Sequence, residues 1–371
     1  MILNKTTMTG IYIHIPFCAS KCPYCDFYSF KAGNDQKDSY LKAVLSCLLS
    51  YKDKLAGKVD TVYFGGGTPS VFGGERIAEV IDCIRKSFNL TSDAEITVEC
   101  NPSSVDAELA KRLKGAGVNR ISMGMQSAVD KERKSLGRLS DKTKVENALS
   151  LFTKAGITNI SLDLMLGIPH QTEESLRESL DFLTEKGIKH ISAYILKIEA
   201  GTPFHKMTLP LPDEDEVCDL YLYASDYLKK KGYRHYEISN FAFEGFESRH
   251  NLRYWKSEEY LGIGPSAHSF LAGKRFYYPR DFDSFIKNPT PVYDGEGGDE
   301  KEFIMLTLRL GDGLLFKSFE NRYKKDVPEY VLERAGFYEK AGFLTIDSKG
   351  IRLNEKGFLL SNTIISDLTD Y

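Results

Sequence analysis

Three cysteines near the start of the chain have the residue type and spacing that most clearly indicate chemistry. Cys18, Cys22 and Cys25 fall within eight residues, in the spacing C-x3-C-x2-C. Thiolates are the usual protein ligands of iron–sulfur clusters, and a cubane of four irons normally takes four of them. A loop with three cysteines therefore leaves one iron open for a substrate or a cofactor. Three core cysteines or a zinc site are the alternatives, although structural zinc takes four ligands.

A run of glycines, Gly65 to Gly67 followed by Thr68 and Pro69, comes directly after the second predicted strand. On its own, such a run indicates only a turn. It is not a P-loop, because no Gly-Lys-Ser/Thr follows, and it does not match G-x-G-x-x-G. Since it lies at the same end of the predicted sheet as the cysteines, it is a candidate ligand-binding segment.

Polar residues also follow the next three predicted strands. These residues are Glu99, Gln126, Arg138 and Asp163. A single buried carboxylate is more often a structural hydrogen-bond acceptor. Four polar residues at one end of a βα fold instead favour a shell that binds ribose, amine and carboxylate groups of a ligand.

The chain must position these residues with alternating strands and helices. Apolar, β-branched or aromatic runs predict strands at 11–17, 59–64, 95–99, 120–125, 159–166 and 190–198. Helix-period segments lie at 39–56, 75–88, 105–114, 142–154, 173–186 and 213–231. Gly117, Gly156 and Gly187 can each take the left-handed position between a helix and the next strand. Six βα units predict an α/β fold with a partial (β/α)6 barrel, because a full barrel needs eight units.

The pattern changes after the predicted barrel, which spans residues 1–232. Residues 233–298 read as an extension of the barrel, with a strand at 233–241 and a linker at 288–298. Residues 299–371 predict three short helices, a two-stranded wing and a last helix, which is typical of a winged-helix-like α+β domain. This last segment has 11 Lys and Arg against 13 Asp and Glu, a net charge of −2. Because a DNA reader must neutralise phosphates, we expect a structural role or a protein contact and no nucleic acid.

Composition sets further limits on the function. The 371 residues have a net charge of −3, so no basic excess indicates nucleic acid or anionic lipid. No apolar run is long enough to predict a membrane span, and the first residues lack the apolar core of a signal peptide. The seven cysteines are an odd number, which argues against a disulfide framework and for a reducing cytoplasm.

The stretch that begins at Tyr12, Tyr-Ile-His-Ile-Pro-Phe-Cys-x3-Cys-x2-Cys, resembles the radical S-adenosylmethionine (SAM) superfamily, in particular its coproporphyrinogen-dehydrogenase-like branch. The resemblance implies a 4Fe–4S cluster on the three cysteines, with SAM chelated by the fourth iron and cleaved by one electron to a 5′-deoxyadenosyl radical. Ten residues match SAM-facing positions of the family. They are Tyr12, Tyr24, Gly66, Gly67, Thr68, Glu99, Gln126, Arg138, Asp163 and Ala267.

Two branches of this family differ in three features. The oxygen-independent coproporphyrinogen III dehydrogenases (HemN) have a fourth cysteine two residues after the triad and an extension ahead of the first strand. Here Phe27 occupies that position, and only ten residues precede the predicted strand. The haem-chaperone branch (HemW) is marked by H-N-x-x-Y-W, and this chain has that pattern from His250 to Trp255.

The residues of this second motif suit haem. A lone histidine is more often a satisfied core or surface residue. A neutral imidazole is nevertheless a good axial ligand for haem iron, aromatic rings can pack on a porphyrin face, and Arg249 or Arg253 could pair with propionates. We therefore expect haem on His250, with His268 as a weaker second candidate.

Together these features predict a cytoplasmic haem chaperone without coproporphyrinogen oxidase activity. It would bind a 4Fe–4S cluster, SAM and haem and deliver haem to a membrane-bound respiratory cytochrome. The resemblance also allows a homodimer and a peripheral membrane contact. Two alternatives stay open: an enzyme that oxidatively decarboxylates coproporphyrinogen III, and a winged-helix regulator that retains a cluster.

Overall fold

Six parallel strands form the centre of the fold, in a computed structural model that describes residues 8–55, 57–138 and 140–370. Each strand pairs in parallel with the next one along the chain. The strands are β1 (Met8–Ile15), β2 (Lys58–Gly66), β3 (Asn89–Cys100), β4 (Arg120–Gln126), β5 (Asn159–Leu166) and β6 (His190–Ile195). All six were expected from the apolar runs, and the open parallel arrangement confirms the prediction of a partial barrel.

Helices connect these strands and cover one face of the sheet. They are α1 (Asn34–Leu49), α2 (Pro69–Phe72), α3 (Gly74–Ser87), α4 (Ala107–Ala116), α5 (Asp130–Ser135), α6 (Lys142–Lys154), α7 (Glu173–Glu185) and α8 (Glu214–Lys230). Side chains alternate between the two faces of a strand. Along β1, Ile11, Ile13 and Ile15 are fully buried in the main hydrophobic core, so Tyr12 and His14 turn to the opposite face, where the candidate site lies.

Glycines set the helix-to-strand junctions as the sequence predicts. Gly117, Gly156 and Gly187 have φ values of 97°, 84° and 65°. This left-handed conformation is inexpensive for glycine and costly for residues with a Cβ. Each helix therefore ends abruptly, and the chain enters the next strand within a few residues.

The sheet continues past both predicted edges, so that twelve strands of the described residues form it. Beyond β1 come β9 (Tyr260–Ile263), which is parallel to β1, and then the antiparallel strands β10 (His268–Leu271), β11 (Lys274–Tyr277) and β12 (Val292–Glu296). Beyond β6 come β8 (Asn240–Ala242) and β7 (Arg234–Glu237), both antiparallel to their neighbours.

Two details of the sequence prediction are wrong at these edges. The single strand predicted at 233–241 is the hairpin of β7 and β8, and the linker predicted at 288–298 contains β12. Val-Tyr-Asp-Gly-Glu in β12 has the composition of a loop. An edge strand can form from such residues because it needs backbone partners on one side only.

The last part of the chain forms a small α+β unit. Its helices are α11 (Glu300–Thr307), α12 (Phe316–Tyr323), α13 (Glu329–Lys340), α14 (Glu355–Leu359) and α15 (Ser361–Thr369), and before it lie α9 (Arg249–Trp255) and α10 (Phe282–Lys287). The predicted wing is present as β14 (Leu344–Ile346) and β15 (Gly350–Leu353), with β13 (Leu314–Leu315) as an unpredicted third strand. No helix in the described part of the chain is both long and apolar enough to cross a membrane.

Candidate functional site

The cysteine loop leaves the carboxyl end of β1 and is fixed at its base by backbone hydrogen bonds. The Cys18 amide donates to the Phe30 carbonyl at 2.9 Å, and the Phe30 amide donates to Pro16 at 2.9 Å. The Phe17 ring lies among the rings of Phe30, Tyr40, Phe72 and Phe282, at 5.3–6.0 Å between centroids. The apolar residue before Cys18 therefore anchors the loop in the core and turns the cysteines outward.

The three cysteines are free thiols that are partly exposed, whereas Cys47 and Cys100 are buried in the core. Burial raises the pKa of Cys25, and its neighbours Cys22 and Cys18 raise it further because thiolates repel one another. In the part of the chain that the structure describes, no three His, Cys, Asp or Glu side chains converge enough to hold a single metal ion. A four-iron cluster makes a different demand, since it offers separate irons to separate thiolates. The donor set of the loop suits that group.

The glycine run lies directly against the cysteine loop. The Gly67 amide donates to the Ile15 carbonyl at 2.8 Å, and the Thr68 amide donates to the Phe17 carbonyl at 2.7 Å. A Cβ on Gly67 would lie 2.7 Å from the Phe17 carbonyl oxygen. The Thr68 hydroxyl is also 3.3 Å from Cys18 Sγ. Close backbone approach therefore explains why glycine is needed here.

His14 supports the same loop, a role that the sequence did not indicate. The ring forms hydrogen bonds to the Tyr12 hydroxyl at 3.0 Å and to the Tyr28 carbonyl at 3.1 Å. A Cβ on Gly66, whose φ is 110°, would collide with this ring. Burial lowers the pKa of His14 to about 4, so the ring is neutral near pH 7.

Glu99 lies at the end of β3 beside the glycine run. Its carboxylate accepts hydrogen bonds from the Tyr63 hydroxyl at 2.8 Å and from the Gly66 amide at 3.2 Å. Burial raises the pKa of Glu99 to about 7, and the nearby carboxylate of Asp163 also raises it. Tyr63 is a further site residue that the sequence analysis missed, because an aromatic residue inside a strand gives no sign of its partner.

Gln126, Arg138 and Asp163 meet on the far side of the site. A Cβ on Gly124 would lie 2.7 Å from the Gln126 side-chain nitrogen and 2.9 Å from an Arg138 nitrogen, so these two side chains flank one backbone position. Gln126 has a φ of 70°, which is unusual for a residue with a side chain. The Ser122 hydroxyl donates to the Asp163 carboxylate at 3.5 Å. Burial raises the pKa of this carboxylate. Backbone strain at Gln126 is consistent with a functional site.

Arg138 links this side to the cysteine loop. Its guanidinium carbon lies 5.9 Å from the centre of the Tyr24 ring. Its Nε is buried and has no hydrogen-bond partner among the described residues. An unpaired buried donor is costly, so it fits a ligand that supplies an acceptor.

Ala267 lies at the remaining side, in the turn between β9 and β10, and is fully buried. A Cβ on Gly262 would be 3.2 Å from the Ala267 Cβ, and Gly262 pairs with Tyr12 across the sheet. The structure therefore brings the predicted SAM-facing residues to the carboxyl end of the parallel strands. Their role as SAM contacts remains a prediction.

His250 is placed differently from the other predicted residues. It is fully buried, and α9 carries it to the amino ends of the strands, against Gly10 of β1 and Thr61 of β2. Its Nδ1 is 2.8 Å from the Thr61 hydroxyl and its Nε2 is 2.8 Å from the Tyr254 hydroxyl. Both ring nitrogens are thus occupied. Haem coordination by His250 remains a prediction.

Two arginines of this segment also make contacts within the protein. Arg253 pairs with Asp60 and donates to the Met8 carbonyl at 3.1 Å, and its side chain is 3% exposed. Arg249 donates to the Asp93 carbonyl at 2.8 Å. The pairing of these arginines with propionates remains a prediction. Because α9 has only seven residues, the sequence did not show which side of this helix would face the core.

Comparisons with known proteins agree with this fold and this loop. A model of the radical SAM superfamily matches residues 12–183, and a model of the HemN C-terminal domain matches residues 301–360. A solved structure of coproporphyrinogen III oxidase (HemN) from Escherichia coli is similar with a TM-score of 0.86 and 22% identity, over 99% of this chain and 91% of that chain. At that identity the likeness establishes the fold.

Relatives in sequence identify the family within the radical SAM superfamily. A protein of Lactococcus lactis named heme chaperone HemW is 35% identical over 95% of both chains. A protein of Mycobacterium tuberculosis with the same name is 33% identical over 97% of this chain and 94% of its own. The chain belongs to the HemW family.

Proposed function

We propose that this protein is a cytoplasmic haem chaperone that holds a 4Fe–4S cluster, SAM and haem and passes haem to a respiratory cytochrome. The observation that carries the proposal is the three-cysteine loop against the glycine run, in a chain that is similar to HemW proteins over 95% of its length. Proteins that are similar to this chain over almost its whole length carry the name heme chaperone, and this similarity supports the same role here.

Cys18, Cys22 and Cys25 would hold the cluster, and the polar residues around them would hold SAM. When bound, a cluster of this kind supplies an electron to SAM. The glycine run keeps the backbone accessible, since Gly66 and Gly67 have no room for a side chain. Arg138 offers a carboxylate its Nε, which has no partner among the described residues. Glu99 and Asp163 are acceptors suited to hydroxyl or ammonium groups.

Phe27 argues against the enzyme alternative. Its ring is 65% exposed directly after the loop, at the position where coproporphyrinogen dehydrogenases of the family carry a fourth cysteine. A phenylalanine offers no thiol for radical or metal chemistry. An exposed aromatic ring beside the loop is instead suited to a flat apolar ligand.

The proposal is tested with purified protein whose cluster has been reconstituted without oxygen. We expect haem to bind, and we expect incubation with coproporphyrinogen III, SAM and a reductant to give no vinyl product. Stoichiometric decarboxylation with release of 5′-deoxyadenosine would overturn the chaperone function and favour the enzyme. A C22A variant, expected to lose the cluster absorbance, is the control for chemistry that depends on the cluster.

A further inference from the structure

The first residue of β4, Arg120, carries a guanidinium that the protein encloses, since only 1% of the residue is exposed. Arginine is seldom fully buried unless a carboxylate pairs with it. Among the described residues no ion pair joins Arg120 to a carboxylate, and its Nε has no hydrogen-bond partner. The charge of Arg120 must therefore be balanced at longer range.

Arg120 faces the interior of the barrel together with two neighbours on β3 and β5. Ile121 and Met123 lie in the main hydrophobic core, and because side chains alternate along a strand, Arg120 turns to the other face. Thr97 and Asn159 pair with Arg120 in register on either side. Thr97 Oγ1 and Asn159 Oδ1 are also buried without a hydrogen-bond partner among the described residues. Three such atoms in one row are suited to hold ordered water.

The carboxylates of Glu99 and Asp163 come next on the same face, toward the carboxyl ends of the strands. Glu99 follows Thr97 by two residues, which is about 7 Å along β3, and Asp163 follows Asn159 on β5 by four residues. Burial raises the pKa of both carboxyl groups, whereas the positive charge of Arg120 lowers it in each case. Arg120 therefore lies below the two candidate SAM contacts and favours their ionised form.

Groups on six other elements act on Glu99 electrostatically, and Arg120 is the cation of this set. The groups are Tyr12, Tyr63, Arg120, Asp163, Tyr194 and Tyr254. Two buried histidines of the interior, His190 and His250, are neutral near pH 7, because burial lowers their pKa. Arg138 also acts on Asp163, but the proposed function assigns its guanidinium to the carboxylate of SAM.

We propose that Arg120 is a positioning residue of this site, the buried cation that balances Glu99 and Asp163 through water held by Thr97 and Asn159. It acts on SAM only through the two carboxylates, which it keeps as acceptors for hydroxyl and ammonium groups. No electron or proton is transferred. The inference rests on the proposed function, because it names a residue that acts through the proposed SAM contacts.

The first test follows the protonation of Glu99 by infrared spectroscopy of the full-length reconstituted protein as the pH is varied. The carboxyl band of Glu99 is identified by its loss in E99Q, which separates it from the band of Glu237, whose pKa burial also raises to about 7. We expect a midpoint near pH 7 in the wild type. In R120Q, which removes the charge, it should be about one pH unit higher. R120K keeps the charge and should titrate close to the wild type.

The matched control is R133M, which removes another buried guanidinium. Arg133 donates to the Ser127 carbonyl at 2.7 Å and is not among the groups that act on Glu99, so R133M should keep the wild-type midpoint. If R120Q does not fold, R120M is the second neutral variant. A folded neutral variant with the wild-type midpoint overturns the inference, as does an R120K midpoint that is shifted as far as that of R120Q.

The second test measures the binding of labelled SAM to the reconstituted protein by equilibrium dialysis as the pH is varied. We expect R120Q to bind SAM up to about tenfold more weakly below both midpoints, with the difference narrowing as the pH rises past them. An equal loss at every pH would show that Arg120 has only a structural role and would overturn the inference. If the wild type binds no SAM, the proposed SAM site itself is overturned, whereas the infrared midpoints still decide whether Arg120 balances Glu99.

Discussion

At the scale of single residues, the two histidines that could bind haem have different surroundings. His250 is a core residue: its ring lies 5.3 Å from the Tyr63 ring and satisfies two buried hydroxyls. His268 stands in solvent with one ring neighbour. Loss of haem binding in a His250 variant would therefore not identify a ligand, because removal of this ring disturbs the interior below the site.

Stability measurements separate these two roles. H250A is expected to lower the free energy of unfolding by about 2–4 kcal/mol, since it leaves a cavity and removes one hydrogen bond from each of the Thr61 and Tyr254 hydroxyls. H268A should change it by less than about 0.5 kcal/mol, as is usual for an exposed position. Urea denaturation of both variants without haem provides the measurement. Equal stability of H250A and wild type would show that His250 is not part of the core.

Glu99 gives the site a dependence on pH. Its pKa rises from an ordinary 4.5 to about 7 in the folded protein. A group with a raised pKa stabilises the fold below its unfolded pKa, and that stabilisation is lost as the pH rises through the folded value. The unfolding free energy of the wild type should therefore fall between about pH 4.5 and 7 relative to E99Q. Parallel curves for the two proteins across this window would contradict the assignment.

At the scale of elements, the glycine run and the cysteine loop form one unit. G67A would place a Cβ 2.7 Å from the Phe17 carbonyl and 2.9 Å from the Ile15 carbonyl. We expect a loss of about 1–3 kcal/mol from overpacking, together with less iron and sulfide bound after reconstitution. The matched control is G115A in α4, where a Cβ meets nothing within 4 Å. It should be stabilising by about 0.5–1 kcal/mol.

Iron content and urea denaturation of these two glycine variants are the measurements. If G67A bound iron and sulfide as fully as G115A does, the contact between the glycine run and the loop would not support the cluster site. If G67A were as stable as G115A, overpacking at Gly67 would be contradicted.

At the scale of the whole molecule, the C-terminal unit is joined to the sheet by backbone contacts. Glu237 of β7 forms an isolated bridge with Leu310, and the Ile238 amide donates to the Arg309 carbonyl at 2.9 Å. Glu302 of α11 pairs with Arg275 of β11 and also accepts from the Gly298 amide. The unit therefore supports both edges of the extended sheet, including the strands that carry His268.

Glu302 is the residue whose loss best tests this connection. E302A should lower the free energy of unfolding by about 2–3 kcal/mol, because it leaves the half-buried Arg275 without its carboxylate. The control is E300A, which removes a more exposed pair with Lys325 and should cost less than about 1 kcal/mol. Chemical denaturation compares them. Equal effects would indicate that Glu302 is no more than a surface charge.

The sequence predicted the strands and site residues that depend on a local residue pattern. It did not predict the strands and the buried side chain that depend on pairing between distant segments. Apolar runs with helix-period segments between them identified β1 to β6, and residue types alone identified Cys18, Cys22 and Cys25. The strands β9 to β12 were missed because they are short and because β9, on which the others build, pairs with β1, some 250 residues away along the chain. The burial of His250 was missed for the same reason: its partners Thr61 and Glu95 come from other strands.

The proposed function as a haem chaperone is tested most directly by haem transfer. Reconstituted protein loaded with haem would be mixed with membranes that contain a haem-free respiratory cytochrome, and the cytochrome spectrum would be followed over time. We predict that the haem leaves the protein and appears in the cytochrome, faster than free haem is inserted at the same concentration. Haem that remains on the protein, or transfer no faster than from free haem, would contradict the function as a chaperone.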